Sequence, residues 1–136
     1  MNYTSQILLG LVLFCTVAAQ AQLAVTVTPP KVAGQKAVLQ LAMKNSFPSA
    51  IESARAVCFL LDDQGKMVGQ SAKWVIGGTK DKPGLQSGAT NTFNFVITSP
   101  EPLTSSNLTA KIQFNRVILE GGKLMDATRD VTIVNK

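Results

Sequence analysis

After residue 22, apolar and polar side chains alternate with a period of two along most of the chain. The clearest stretches run from Leu23 to Val27, from Ala37 to Met43 and from Leu108 to Phe114, where every second residue is apolar. Period two sends successive side chains to opposite faces of a strand, and no long stretch has the three-to-four spacing of an amphipathic helix. The pattern therefore predicts an all-β chain.

Turn-forming residues divide this pattern into about seven strands. Asp62 to Gly65 predicts a hairpin turn, because aspartate caps its own backbone and glycine adopts positive φ easily. Leu85 to Gly88 predicts a tight entry into a strand from Thr90 to Thr98, and Glu120 to Lys123 predicts a hairpin into a last strand with Val131 and Ile133 facing inward. Strands of this number and spacing are typical of a β-sandwich.

The first 21 residues have the organisation of a secretory signal peptide. The apolar run from Ile7 to Ala19 is shorter than the roughly 20 residues that a transmembrane helix needs. Ala19 and Ala21 supply the two small side chains of a cleavage site, so we expect cleavage before Gln22. The product would be one domain, residues 22–136, without a transmembrane segment, in the periplasm or outside the cell.

Charge and cysteine content restrict the partners that the domain is expected to bind. All 13 Lys and Arg and all 8 Asp and Glu follow the leader, which gives the domain a net charge of +5. The basic residues are scattered, so nucleic-acid binding is not expected. Cys15 would leave with the leader and no intramolecular disulfide is then possible, so we interpret the remaining Cys58 as a small buried hydrophobic residue.

The third predicted strand, from Ile51 to Leu61, is apolar on both faces. One face carries Ala56, Cys58 and Leu60, and the other carries Val57, Phe59 and Leu61. Because only one face can enter a two-layer core, the other is either covered by a loop or by long neighbouring side chains, or is a docking surface for a protein. Trp74, on the next strand, could contribute to either arrangement.

The chain lacks the residues of common active sites and metal sites. It contains no histidine, which removes histidine-dependent triads and the usual zinc and copper sites. Asp62 and Asp63 adjoin each other in a turn, where their carboxylates would point apart. Met43, Met67 and Met125 lie singly in the sequence, without the close spacing that a copper site of thioether ligands needs, so we interpret them as core residues. We therefore expect no enzyme activity, no metal and no cofactor.

One polar loop remains a candidate for contacts with a partner. Residues 77–84 begin Gly-Gly-Thr-Lys but lack the spacing of a phosphate-binding loop. Lys80 and Lys82 in this loop, with Lys73 on the preceding strand, could contact an acidic glycan, a phospholipid headgroup or a protein. A solvated loop explains the same residues.

The third strand, its turn and the following corner resemble the FxLYD-type immunoglobulin-like domains that bacteria export. The matching residues are Leu60, Asp62, Gly65, Leu85, Gly88 and Phe93. Cys58, Leu61 and Ser87 stand where that family has phenylalanine, tyrosine and proline. The resemblance covers most of the chain after residue 21, and its motifs are turn and core residues.

The resemblance implies an immunoglobulin-like antiparallel β-sandwich and an accessory or interaction domain of the bacterial envelope, without catalytic activity. The candidate partner-binding residues are Val57, Phe59, Leu61, Trp74, Lys80 and Lys82. The expected partner is an envelope protein or polymer. The alternative is a structural subunit that associates with its own copies through exposed edge strands.

Overall fold

A computed structural model describes residues 22–104 and 107–136. The predicted leader, residues 1–21, and its cleavage residues Ala19 and Ala21 lie outside these ranges. Within them the chain forms nine β-strands and no helix, so no helix long and apolar enough to cross a membrane is found there. The strands are β1 (Leu23–Val27), β2 (Lys31–Ala33), β3 (Lys36–Asn45), β4 (Ile51–Leu61), β5 (Met67–Ile76), β6 (Thr90–Thr98), β7 (Thr109–Leu119), β8 (Lys123–Leu124) and β9 (Val131–Asn135).

The strands form two sheets. In the five-stranded sheet, β3 is the central strand. One edge of β3 pairs with β6, and its other edge pairs with β1 and β2. The far edge of β1 pairs with β9. The four-stranded sheet has the order β5-β4-β7-β8. All pairings are antiparallel except that of β1 with β9, which run parallel.

The seven strands predicted from the alternation coincide with β1, β3, β4, β5, β6, β7 and β9. The two short strands β2 and β8 were not predicted. The expected antiparallel arrangement fails at one place, because the turn from Glu120 to Lys123 leads into two-residue β8, and the chain then crosses to pair β9 with β1 in the other sheet.

Alternate residues of the strands meet between the sheets and form the core. In β3, for example, Ala37, Leu39, Leu41 and Met43 are each at most 1% exposed, as the period of two predicts. The sheets approach closely at β5 and β6, since a Cβ atom on Gly69 would lie 3.1 Å from Cγ2 of Ile97.

Two polar side chains organise the turns. Asp62 Oδ1 accepts hydrogen bonds from the backbone N–H groups of Gln64 and Lys66, at 2.9 and 2.8 Å, and Gly65 has φ of 79°, which confirms the predicted hairpin turn. Asn45 is fully buried at the end of β3. Its amide donates to the carbonyl oxygens of Ser49 and Leu85, and its oxygen accepts from the N–H of Phe47.

Candidate functional site

The structure establishes which face of β4 enters the core. Ala56, Cys58 and Leu60 have no exposed surface, whereas Val57, Phe59 and Leu61 are half-buried on the surface of the four-stranded sheet that is turned away from the five-stranded sheet. We call this surface the outer face, and Val57, Phe59 and Leu61 the apolar stripe. No strand of the described ranges packs over it.

Strand register places Trp74 on the outer face beside the apolar stripe. Trp74 of β5 pairs with Arg55 of β4, and Ala72 pairs with Val57, and paired residues of antiparallel strands share a face. The indole of Trp74 is half-buried because the following loop turns over it, and a Cβ atom on Gly78 would lie 2.5 Å from its Cγ. Four of the six predicted contact residues therefore lie on one surface.

The loop after β5 is held against the start of β4. Gly77 has φ of 55°, and a Cβ atom there would overlap the carbonyl oxygen of Glu52. Beyond the loop, Leu85 and Ile51 exchange backbone hydrogen bonds of 2.8 Å each. Positive φ and this close backbone contact both require glycine at position 77.

The other two predicted contact residues, Lys80 and Lys82, have different surroundings. Lys82 donates from Nζ to the carbonyl oxygen of Trp74 at 2.9 Å, and the same Nζ lies 4.7 Å from the centre of the Phe93 ring. Lys73 similarly lies 5.6 Å from the centre of the Phe95 ring. These two lysines cover the side of the core between β5 and β6, while Lys80 is exposed in the loop.

Sequence reasoning missed the basic residues of the outer face. Arg55 pairs across the sheet with Arg116 of β7, and Phe59 pairs with Lys111. The alternation within β7 indicated that Lys111 faces solvent, but the pairing of strands far apart in sequence was needed to place it beside the apolar stripe.

The loop also borders an open cleft of about 710 Å³. Its lining includes Glu52 and Glu120 as well as Lys80 and Lys82. Side chains of both charge signs thus border the cleft, and residues 50–53 line part of it. The acidic pair was not singled out from the sequence, because its two members are 68 residues apart in the chain.

Cys58 is fully buried and is a free thiol, which confirms its interpretation as a core residue. Burial raises the pKa of its thiol from 9.0 to about 12. A thiol in this state is a poor nucleophile at neutral pH. Among residues 22–104 and 107–136, no group of three or more His, Cys, Asp or Glu could hold a metal ion.

Comparisons with known proteins find similarity of structure without similarity of sequence. No family model matches the chain, and no curated protein matches it. A solved structure described as the "Putative ApaA Protein from Bordetella pertussis" superposes with a TM-score of 0.55 at 16% identity, over 78% of this chain and 86% of that one. The structural-genomics target SoR45 superposes with a TM-score of 0.50 at 13% identity, over 81% of this chain and 83% of that one.

At these identities the likeness shows the fold alone, since one fold hosts many functions. The chain is an all-β protein whose two sheets pack in a sandwich-like arrangement that is also found in solved structures from other proteins.

Proposed function

We propose that this protein is an exported, non-enzymatic accessory or interaction domain of the bacterial cell envelope, which binds a partner through the outer face. The leader-like residues 1–21 and the resemblance to FxLYD-type immunoglobulin-like domains support export and an immunoglobulin-like fold. The lack of histidine argues against the common hydrolytic mechanisms.

The observation that carries this proposal is the apolar stripe. Val57, Phe59 and Leu61 lie side by side on a sheet surface that no described strand covers, and each is half-buried rather than fully exposed. A row of apolar side chains on an uncovered sheet face, bordered by polar residues such as Gln70 and Gln113, is a candidate protein-binding site. Burying it would contribute about 25 cal/mol per Å² before the costs of association are subtracted, which is sufficient for modest affinity.

The test uses the secreted protein, immobilised and exposed to envelope extracts. The variant Phe59→Asp places a charge in the middle of the apolar stripe and should abolish capture of the partner while leaving the domain folded. The matched control is Thr92→Asp, which introduces the same charge at an exposed position of β6 in the other sheet and should capture the partner normally.

Two results would contradict the proposal. If Phe59→Asp unfolds the domain, as judged by circular dichroism and thermal melting, then Phe59 serves the core and the surface is not a docking site. If the secreted material retains residues 1–21 in its intact mass, the export prediction is wrong.

A second candidate function is self-association through edge strands. Strand β9 forms one edge of the five-stranded sheet, contains no charged residue, and leaves Val134 55% exposed. Uncharged exposed edges pair readily with other strands. Sedimentation separates the two functions, since an assembling subunit would grow with concentration and Val134→Lys would prevent this growth.

A further inference from the structure

Positive charges predominate at the paired positions of the outer face, and Glu52, exposed at the start of β4, is the one acidic residue of that strand. The positions of the outer face on β4, β5 and β7 include Arg55, Lys111 and Arg116, and within the described residues no carboxylate occupies a paired position of this face. The acidic residues of the chain instead lie in turns and loops or, for Glu52, beside a register shift in β4: Glu52, Asp62, Asp63, Asp81, Glu101, Glu120, Asp126 and Asp130.

Arg55 and Arg116 occupy directly opposed positions on neighbouring antiparallel strands. Like charges in this arrangement repel each other and destabilise a sheet. Neither guanidinium is paired with a carboxylate, because the one ion pair within residues 22–104 and 107–136 joins Arg129 to Asp130. The isolated domain therefore has two adjacent positive charges that it does not neutralise.

The arginine pair adjoins the apolar surface. Trp74 lies on the other side of Arg55 in the same row across the sheet, and Val57 follows Arg55 on the outer face of β4. A ligand group held between the two guanidinium groups would thus lie next to an aromatic ring and the start of the apolar stripe. Arginine binds carboxylates with two parallel hydrogen bonds, and an unpaired set of donors favours such a group.

We infer that the partner of this domain is a protein segment that presents an aspartate or glutamate beside large apolar side chains. Its carboxylate binds between Arg55 and Arg116, and its apolar side chains pack on Val57 and Phe59. This inference rests on the proposed function and adds the chemistry of the partner. The outward positions of β3 and β6 in the opposite sheet carry lysines and valines but no arginine and no aromatic residue, and Gln40 and Asn94, which bond each other at 3.1 Å, lie among them.

A protein segment fits this surface better than a membrane or a charged polymer does. Three cations attract an anionic bilayer by only about 1 kcal/mol each, which is too little for stable attachment to a membrane. An extended polyanion would need a longer track of cations than Arg55, Lys111 and Arg116 provide. An apolar centre with polar and basic neighbours is instead the organisation of a protein interface.

The test is a selection of random twelve-residue peptides, displayed on phage, against the secreted protein. We expect the enriched peptides to combine Asp or Glu with Phe, Leu or Trp. A synthetic peptide of this kind should bind the double variant Arg55→Gln/Arg116→Gln at least tenfold more weakly. The matched control, Lys36→Gln/Lys44→Gln, removes two exposed charges from β3 and should bind the peptide as the unchanged protein does.

A double-mutant cycle identifies the contact itself. Replacing the acidic residue of the peptide by its amide should weaken binding to the unchanged protein tenfold, and should have no further effect on the arginine double variant. Additive losses would show that the carboxylate is not held by this pair, which overturns the inference.

Other results separate this inference from the proposed function. The enriched peptides could require Phe59 but lack acidic residues, or could bind the arginine double variant as well as the unchanged protein. Either result overturns the inference of an acidic partner and leaves the proposed docking function intact. If no enriched peptide loses its binding in Phe59→Asp, both the acidic partner and the proposed docking function are overturned. Binding to phosphatidylglycerol vesicles that requires the arginine pair, without peptide binding, shows a lipid surface as the occupant and also overturns the inference.

Discussion

The ammonium group of Lys82 donates a hydrogen bond of 2.9 Å to the carbonyl oxygen of Trp74, on the free edge of β5. A lysine that the sequence suggested as a partner contact thus has a partner within its own domain. The bond occupies a backbone acceptor of an edge strand, and the same ammonium group lies over the Phe93 ring. Both contacts protect the side of the sandwich between β5 and β6.

We predict that Lys82→Ala destabilises the domain by about 1 kcal/mol, since it removes a charge-assisted hydrogen bond and a cation–π contact that are partly exposed to solvent. Lys80→Ala, two residues earlier in the same loop, should change the free energy of unfolding by less than about 0.5 kcal/mol. Urea unfolding measures both. Equal effects of the two substitutions would show that the Lys82 contacts do not contribute in solution.

We predict a larger loss for Asn45→Ala. The buried Asn45 side chain makes three hydrogen bonds to the backbone of residues 47, 49 and 85, at 2.8, 3.0 and 2.9 Å. Because their loss leaves buried backbone groups without this partner, stability should fall by about 3 kcal/mol. Asn94→Ala, which removes one exposed hydrogen bond to Gln40, is the control and should cost below about 1 kcal/mol. A small effect at both sites would mean that water replaces Asn45 readily.

Gly77→Ala should destabilise the domain more than Gly65→Ala does. Both glycines have positive φ, 55° and 79°, so both substitutions carry a conformational cost of about 1 kcal/mol. A Cβ atom at position 65 would meet open space, whereas one at position 77 would overlap the carbonyl oxygen of Glu52. Thermal melting compares the two variants. Similar melting temperatures would show that the loop moves away from β4 without cost.

The buried thiol of Cys58 predicts a loss of stability at high pH. Its pKa is raised to about 12 in the folded protein, whereas the thiol of the unfolded chain ionises near 9.0. Above pH 9 the unfolded state therefore binds fewer protons than the folded state, and stability falls as the pH rises from about 9 towards 12, by up to about 1.4 kcal/mol per pH unit. Well below pH 9 the thiol is protonated in both states and contributes no pH dependence.

The measurement is the free energy of unfolding from pH 8 to pH 11, compared with that of Cys58→Ala, in which the contribution of the thiol is absent. Parallel curves for the two proteins would contradict the prediction. A thiol reagent should also react with Cys58 only after unfolding.

The strands could be predicted because alternation is a local property, and the buried positions of β3 follow it without exception. The choice of strand partners is not local. The crossing of β9 to the five-stranded sheet depends on which edge can bury Val131 and Ile133, and nothing in the turn from Glu120 to Lys123 specifies it.

The candidate site was predictable to a similar extent. Phe59 and Trp74 were identified because the sequence shows more large apolar residues in this hairpin than one core-facing side of the strands can hold. Which face of β4 enters the core could not be derived, since both faces are apolar, and Arg55 and Arg116 are brought together only by the register of β4 on β7. Lys82 was one candidate contact residue in a loop that could equally be solvated, and its contact with Trp74 could not be derived because it depends on the path of the loop.

The parallel pairing of β1 with β9 has a mechanical consequence. The two strands are joined along five paired positions, from Leu23 with Val131 to Val27 with Asn135, and they run in the same direction. Tension applied at the start of β1 and at the end of β9 would act along both strands, so their hydrogen bonds would be sheared together instead of being unzipped one at a time. A domain tethered at these two points would resist stretching until this whole ladder ruptured.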